Sequence, residues 1–382
     1  LNLTGCGANG NPCPFVDVGG GVVELRNTTW IVDADDTDAE IRISGLGLLA
    51  NVTRLVNTNL QLSVGAVSGL DAKLSLNDDP MLLANTLTEL NNSTLLLEGA
   101  VFQPANTLAL NNGSTLLIGT DAEPAGLYRA IGQDLDIGVD GPTSLVRLTG
   151  GSLDVEDITI GANSSLEGYG PVGFVGARQL INNGRISADG GELSFTEYAI
   201  TGNGVIEVAA LDASNQAGTG VLRLIDSSIE DATLTLGRGA AIAGNGVFED
   251  VTLTNGGFFV VDAPFCEFGS GSGCSAASFT ATAPGAASIH NLADGRMQIL
   301  DQTLVLNNVV VNNDAGAVIE IASKDNGVPV GQRLWSVLEL NDSIINGGEL
   351  RVIREPGGTV TPNTPFAFVQ AVGGQSELNN VD

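Results

Sequence analysis

Five carboxylates fall within eight residues at Asp33, Asp35, Asp36, Asp38 and Glu40. Calcium takes about six to eight oxygen donors, and closely spaced Asp and Glu side chains supply them, so this run is a candidate calcium site. It is not an EF-hand loop. Counted from Asp33, the sixth place holds Asp38 where Gly is needed, and the twelfth holds Ser44 where Glu is needed. The competing reading is a solvated acidic turn.

Four cysteines form two close pairs, Cys6 with Cys13 in CGANGNPC and Cys266 with Cys274 in CEFGSGSGC. Neither pair has the spacing or the neighbouring His of a zinc site, and free thiols in such polar loops would be open to oxidation. Two local disulfides and an oxidising, extracytoplasmic compartment are therefore expected. The one histidine, His290, lies in SIHNLADGR with Asp294 and Arg296 close by in sequence. A Ser-His-Asp mechanism would have to recruit it, yet no G-x-S-x-G turn is present. The adjacent carboxylates Asp35-Asp36 and Asp78-Asp79 would point to opposite faces of a strand, a poor start for acid and base work on one substrate. No catalytic residue is assigned, and His290 is read as an ordinary loop or surface residue.

The elements that carry these groups read as a repeat. Thr86 to Gly99 is TLTELNNSTLLLEG and Thr107 to Gly119 is TLALNNGSTLLIG; Thr86 to Thr107 and Ser93 to Ser114 share an offset of twenty-one residues. Two short apolar runs hinged on Asn and Gly are too short for a helical hairpin array and suit one coil of a β-solenoid. Leu108 and Leu110, then Leu116 and Ile118, alternate as strand residues with one buried face do. Asn-Gly supplies the positive φ of a sharp corner, and Asn182-Asn183-Gly184, Asn255-Gly256-Gly257 and Asn346-Gly347-Gly348 are read as similar corners. A second phrase recurs at Gly168-Tyr169-Gly170, Gly202-Asn203-Gly204 and Gly244-Asn245-Gly246. The step from Gly202 to Gly244 is forty-two, twice the first offset, although that from Gly168 to Gly202 is thirty-four. A β-sandwich would share the alternation and the Gly turns but not the period.

The expected fold is thus all-β, a parallel β-helix with coils of about 21 residues. Residues 1–45 read as an N-terminal cap and first coil, residues 46–355 as the β-helix, and residues 356–382 as a C-terminal edge strand and tail. The cap would carry Trp30 in a strand-like stretch from Val22 to Val32, and the tail a final strand from Phe366 to Val369. Ala209 to Ala217 and Ala276 to Ala287, broken by Gly, Pro and Ser, read as loops leaving the coil. Aromatics are 4% of the chain against 51 glycines, which predicts a narrow core of Leu, Ile, Val and Ala.

Forty-four acidic residues against fifteen Lys and Arg give a net charge of -29, which repels nucleic acid and anionic membranes. No run approaches the roughly eighteen apolar residues of a membrane helix, so direct membrane insertion is not expected. LNLTGCGANG lacks signal-peptide regions, so an exported protein would be a processed form. The Thr-x-Thr units at Thr86, Thr233, Thr252 and Thr280 are too unevenly spaced for a water-ordering face. Eight N-x-S/T triplets, Asn163 and Asn341 among them, are potential glycan acceptors, most of them explained by chance in so Asn-, Ser- and Thr-rich a chain.

From Gly161 to Phe195, GANSSLEGYGPVGFVGARQLINNGRISADGGELSF resembles the passenger regions of bacterial autotransporters and filamentous-haemagglutinin-like adhesins. In those proteins a G-A-x-x-x-L-x-G-x-G-x-V phrase, then N-x-G-x-I-x-A-x-G-G-x-L, marks successive coils. Gly237 to Ala263 is similar, with Gly244, Gly246, Asn255 and Gly256 in matching places, and PFAFVQAVGGQSELNNV is similar to a run that often ends such helices. The resemblance implies a right-handed β-helix on an exported or cell-surface bacterial protein and carries no catalytic residue across. The expected function is non-enzymatic: an extracellular structural or adhesive protein, a rod or filament subunit. Its partners would be copies of itself, other surface proteins or glycans, and its one candidate cofactor is calcium. The alternatives are a polysaccharide lyase or hydrolase, which needs a groove of convergent carboxylates with a basic residue, and a calcium-dependent adhesion module.

Overall fold

The computed structural model describes ten short strands before residue 103, at 2–4, 24–26, 29–34, 39–42, 53–56, 59–64, 72–75, 87–91, 94–98 and 101–102. From residue 107 it describes all residues except 122–125, 131, 140, 142, 174–177, 209–219, 263–276, 284, 301, 324–335, 355–368, 373–375 and 382. Among the described residues all regular structure is strand, with no helix. The chain forms two compact units, Leu1–Ile186 and Ser187–Asp382.

In unit 1 most turns of the chain lay down three strands, each pairing in parallel with the strand three places on; where Ser165–Val172 spans the second and third positions, Ile158–Ile160 pairs with Arg178–Asn182, two places on. Leu108–Asn111, Thr115–Ile118 and Leu127–Ala130 are the first, second and third strands of one such turn. They pair with Leu135–Ile137, Leu145–Thr149 and Ser152–Val155. The alternation seen in sequence sets the faces: Leu108, Leu110, Leu116 and Ile118 are fully buried, and the residues between them are partly exposed. The expected cap already takes part in this pattern, since Glu24–Arg26, Thr29–Ala34 and Ala39–Arg42 pair with Thr53–Val56, Asn59–Val64 and Ala72–Ser75.

Unit 2 follows the same rule. Ser228–Glu230, Thr233–Leu236 and Ala241–Gly244 pair with Val247–Glu249, Thr252–Asn255 and Phe258–Val261. An all-parallel ladder in which every third strand meets is consistent with a β-solenoid.

The turn has no fixed length. Leu90 pairs with Leu110, twenty on, whereas Leu95 pairs with Leu116, twenty-one on, because three residues follow Asn111 where two follow Asn91. In unit 2 the step runs from seventeen, Ala241 to Phe258, to thirty-eight, Phe258 to Arg296. The Gly-x-Gly phrases do not mark one phase of the coil. Gly168 lies in the part of Ser165–Val172 that pairs with the second strand Leu145–Thr149; Gly202 follows the first strand Tyr198–Thr201; Gly244 ends the third strand Ala241–Gly244. Forty-two residues from Gly202 to Gly244 therefore do not count two coils.

What the phrases share is close approach. A Cβ on Gly168 would stand 1.9 Å from the carbonyl oxygen of Leu148, and one on Gly244 1.9 Å from that of Leu224, at φ of 106° and 123°. The Asn-Gly corners divide in the same way. Asn112 and Gly113 have positive φ, as do Gly347 and Gly348. Gly184 and Gly257 do not; a Cβ there would meet Ser164 O at 2.3 Å and Ala240 O at 2.2 Å.

The Ala-rich stretch from Ala276 hides a strand rather than a loop. Ala277–Thr280 pairs with Val247–Glu249 and Thr303–Asn307, and its inward residues Ala277 and Phe279 are buried. Phe279 stacks on Phe248 with centroids 4.4 Å apart, and Phe259 meets both edge-on at 5.4 and 5.5 Å. Aromatics thus enter the core at a few points, with Phe195 edge-on to Tyr198 at 5.9 Å and Tyr128 buried in unit 1 besides this cluster. Near the C-terminus the strand runs Val369–Val372, while Phe366 to Phe368 lie outside the described residues.

Candidate functional site: polar columns of the ladders

In unit 2 asparagines at the ends of successive second strands stand in register. Asn255 Nδ2 donates to Asn291 Oδ1 at 2.8 Å, Asn291 Nδ2 to Asn313 Oδ1 at 3.1 Å, and Asn313 Nδ2 to the Gly347 carbonyl at 3.0 Å. Asn255 and Asn291 are fully buried, and Asn255 Oδ1 also accepts the Gly257 N–H at 3.0 Å, which closes the corner. First-strand ends carry a second series: Asn341 Nδ2 donates to Asn307 Oδ1 at 2.8 Å and Asn307 Nδ2 to Thr280 Oγ1 at 3.0 Å. A third faces outward, from Asn379 through Asn346 to Asn312 at 3.3 and 3.0 Å. A buried amide must find partners, and here each coil supplies them to the next. The Asn341 side chain, a glycan candidate by its triplet, is committed to this ladder, whereas Asn163 is exposed.

Unit 1 uses serine. Ser114, Ser144 and Ser164 precede successive second strands and are buried; Ser164 Oγ accepts the Ser144 N–H at 2.9 Å, and Ser114 Oγ donates to the Asn111 carbonyl at 2.5 Å.

His290 stands outward on the second strand Ser288–Asn291, in register with Thr254 and Asn312. Its Nε2 lies 3.0 Å from Asp314 Oδ1, both side chains being about half exposed. The acidic and basic residues near it in sequence go elsewhere: Asp294 lies 3.5 Å from Arg238, and Arg296 lies 3.2 Å from Glu320. His290, Asp294 and Arg296 therefore do not form one constellation. Thr233 and Thr235 stack on Thr252 and Thr254, but the next rung replaces them with Ser288 and His290, so the threonine face is two rungs deep.

Two outward carboxylates are buried, and sequence reading missed both. Asp154 accepts from Arg129 Nε at 3.2 Å and Arg178 Nη1 at 2.8 Å. Glu320 accepts from Arg296 Nη1 at 3.2 Å and Gln298 Nε2 at 2.5 Å, with Arg351 in register on the following strand. The donors lie on other strands than the carboxylates they reach, so these pairs tie coils together. Only the pairing register, with Arg129 opposite Asp154 and Gln298 opposite Glu320, could have revealed them. Glu230-Asp231 and Glu249-Asp250 also stack, but Asp250 takes the N–H of Thr282 at 2.7 Å and its hydroxyl, which makes it a corner brace. Burial pushes the Tyr128 phenol up, so it stays protonated inside the unit 1 core.

Among the described residues no group of three or more His, Cys, Asp or Glu is placed to hold a metal ion. Of the candidate calcium residues, Asp33 lies in Thr29–Ala34 opposite Ser63 and Glu40 in Ala39–Arg42 opposite Lys73. Asp35, Asp36, Asp38, the pair Asp78-Asp79 and all four cysteines, Cys6, Cys13, Cys266 and Cys274, lie outside the described residues. No family model, curated protein or solved structure matches the chain.

Proposed function

We propose that this chain is a non-enzymatic structural or adhesive protein of the bacterial exterior. We read its ladders as a right-handed β-helix whose basic coil of about 21 residues is enlarged by loops. The observation that carries this reading is the use of polar side chains. Asn255, Asn291 and Asn313 are spent on the neighbouring coil, and the charged residues pair across rungs instead of converging on one point. Chemistry on a substrate needs convergence, whereas a scaffold needs repetition. The pairs Cys6 with Cys13 and Cys266 with Cys274 support an oxidising compartment, and the net charge of -29 favours solubility there. The resemblance to autotransporter passengers and filamentous-haemagglutinin-like adhesins points the same way.

The test is a panel of immobilised polysaccharides and surface-protein preparations, scored for both retention and turnover. Retention of the protein without release of reducing or unsaturated ends is expected. Turnover that disappears in His290→Ala would replace this reading with the carbohydrate-active one.

A further inference from the structure

Eight Asn-Gly dipeptides occur in the chain, and six of them, at Asn112, Asn183, Asn203, Asn245, Asn255 and Asn346, lie among the described residues. This dipeptide is open to attack by the glycine backbone nitrogen on the asparagine Cγ, because a glycine has no Cβ to obstruct the approach. The reaction needs a side chain free to swing and an N–H free to be given up. Five of the six pairs lack one or both. Asn255 Nδ2 donates to Asn291 and to the Arg296 carbonyl, its Oδ1 accepts the Gly257 N–H, and Gly256 N–H is bound to Leu236 O at 3.0 Å. Asn346 donates to Asn312 and accepts from Asn379, while Gly347 N–H reaches Asn379 O at 2.8 Å. Asn245 grips Asp226 with both ends of its amide, accepting its N–H at 3.0 Å and donating to Oδ1 at 2.7 Å. Asn183 is exposed, but Gly184 N–H donates to Asn182 Oδ1 at 3.2 Å. Asn112 and Gly113 stand at φ of 53° and 82°, so attack there would have to unwind a tight turn.

Asn203 meets both conditions. It is exposed in the corner between Tyr198–Thr201 and Val205–Val208, and its amide makes no hydrogen bond among the described residues. Gly204 is buried, and its N–H has no acceptor among the described residues. A buried backbone N–H without a partner is destabilising, and attack on Asn203 Cγ removes that hydrogen. At Gly184, Gly256 and Gly347 the same step would break a hydrogen bond already made. We propose that Asn203-Gly204 is a self-modification site, converting to aspartate and isoaspartate with water as the co-reactant. The bond from Gly204 N to Asn203 Cγ forms, the Cγ–Nδ2 bond breaks, the Gly204 proton passes to solvent base, and Nδ2 takes a proton and leaves as ammonia. Water then adds to one carbonyl of the cyclic imide and breaks its bond to nitrogen, which regains a proton; no oxidation or reduction takes place. Opening at Cγ gives aspartate. Opening at the main-chain carbonyl gives isoaspartate, whose backbone is longer by a methylene at this corner. Either product adds a negative charge to a chain already at -29.

The test ages the folded chain at neutral and at mildly alkaline pH and scores aspartate and isoaspartate at each of the six pairs by peptide mapping with mass spectrometry. Asn203 is expected to convert first, at least about tenfold faster than Asn255 and Asn346, the factor that one buried hydrogen bond carries in a barrier. Its rate should rise with pH, because a proton must leave Gly204 N. In urea the six rates are expected to converge, since the fold then holds none of the pairs. Conversion of any other of the six ahead of Asn203 in the folded chain would overturn the proposal. So would an intact Asn203 in the folded chain beside a converted one in urea, or a lead for Asn203 that is the same in both.

Discussion

The two units solve the same corner problem with different side chains. Where the chain turns from first to second strand, unit 1 places the buried serines 114, 144 and 164, while unit 2 places Ala232, Val251, Ala287 and Val309 before reaching Ser343. Where it turns from second to third strand, unit 1 uses glycines with positive φ, such as Gly119 and Gly150, and unit 2 uses Asn255, Asn291 and Asn313. A glycine corner satisfies its backbone directly: Gly119 N–H reaches Leu97 O at 2.7 Å. An asparagine corner inserts a side chain that both donates and accepts, so its satisfaction depends on the coil above and the coil below. Unit 1 corners therefore link a coil only to its immediate neighbour, whereas unit 2 corners are coupled along the ladder.

The largest expected effect is one the units share. Gly168→Ala in unit 1 and Gly244→Ala in unit 2 each drive a Cβ into a carbonyl oxygen at 1.9 Å, Leu148 O and Leu224 O respectively, from a φ that L-residues avoid. Each variant is expected to lose on the order of 3 kcal/mol or more in urea unfolding. Limited proteolysis should map the new cleavages to the unit that carries the change. Equal losses would show that close approach, unlike corner chemistry, is common to both units; a harmless Gly244→Ala would break that equivalence.

The next effect separates the units. Asn291→Leu keeps the volume but removes the acceptor of Asn255 and the donor to Asn313, inside a site with no water access at Asn255. A loss of about 2 kcal/mol is expected, and hydrogen exchange should quicken at Asn255, Gly257 and Asn313 together. Ser164→Ala leaves a single donor, the Ser144 N–H, unpaired and is expected to cost about 1 kcal/mol with exchange confined to that corner. A spread of exchange along unit 1 from Ser164→Ala would remove the contrast between corners linked to one neighbour and corners coupled along the ladder.

Most of the strand pattern was legible because alternation is a local property. Leu108, Leu110, Leu116 and Ile118 announced both their strands and their buried face. The turn length was not legible, because loops between strands vary freely while the ladder registers them in space; the step of seventeen beside one of thirty-eight shows the range. Ala277–Thr280 escaped notice because Ala and Ser carry little strand signal, and burial of Phe279 decides the segment through contacts distant in sequence. The Asn-Gly corners were found for a reason that holds at Asn112-Gly113 but not at Gly184 or Gly257, where contact with a neighbouring coil requires the glycine. The same limit hid Asp154 and Glu320, whose partners lie about one coil away.

The smallest effect belongs to unit 2 alone and tests whether the strand Glu349–Arg354 is held by charge as well as by ladders. The Arg351 guanidinium donates to both carboxylate oxygens of Glu349, at 2.5 and 2.6 Å. This hydrogen bonding, with a smaller contribution from the charge, holds the Glu349 carboxyl below its ordinary range. A carboxylate depressed in the folded state adds stability above its unfolded value, and that stability is lost as pH falls through the folded value. Local stability at Glu349–Arg354 is therefore expected to be flat near neutrality and to decline slightly below the usual carboxylate range. Both groups are exposed, so the decline should be small and should shrink in high salt. Glu349→Gln is expected to flatten it without changing stability at neutral pH by more than the exposed pair contributes, as read from amide exchange of Glu349–Arg354 across an acid titration. An unchanged acid slope in Glu349→Gln would leave this strand to its ladders alone.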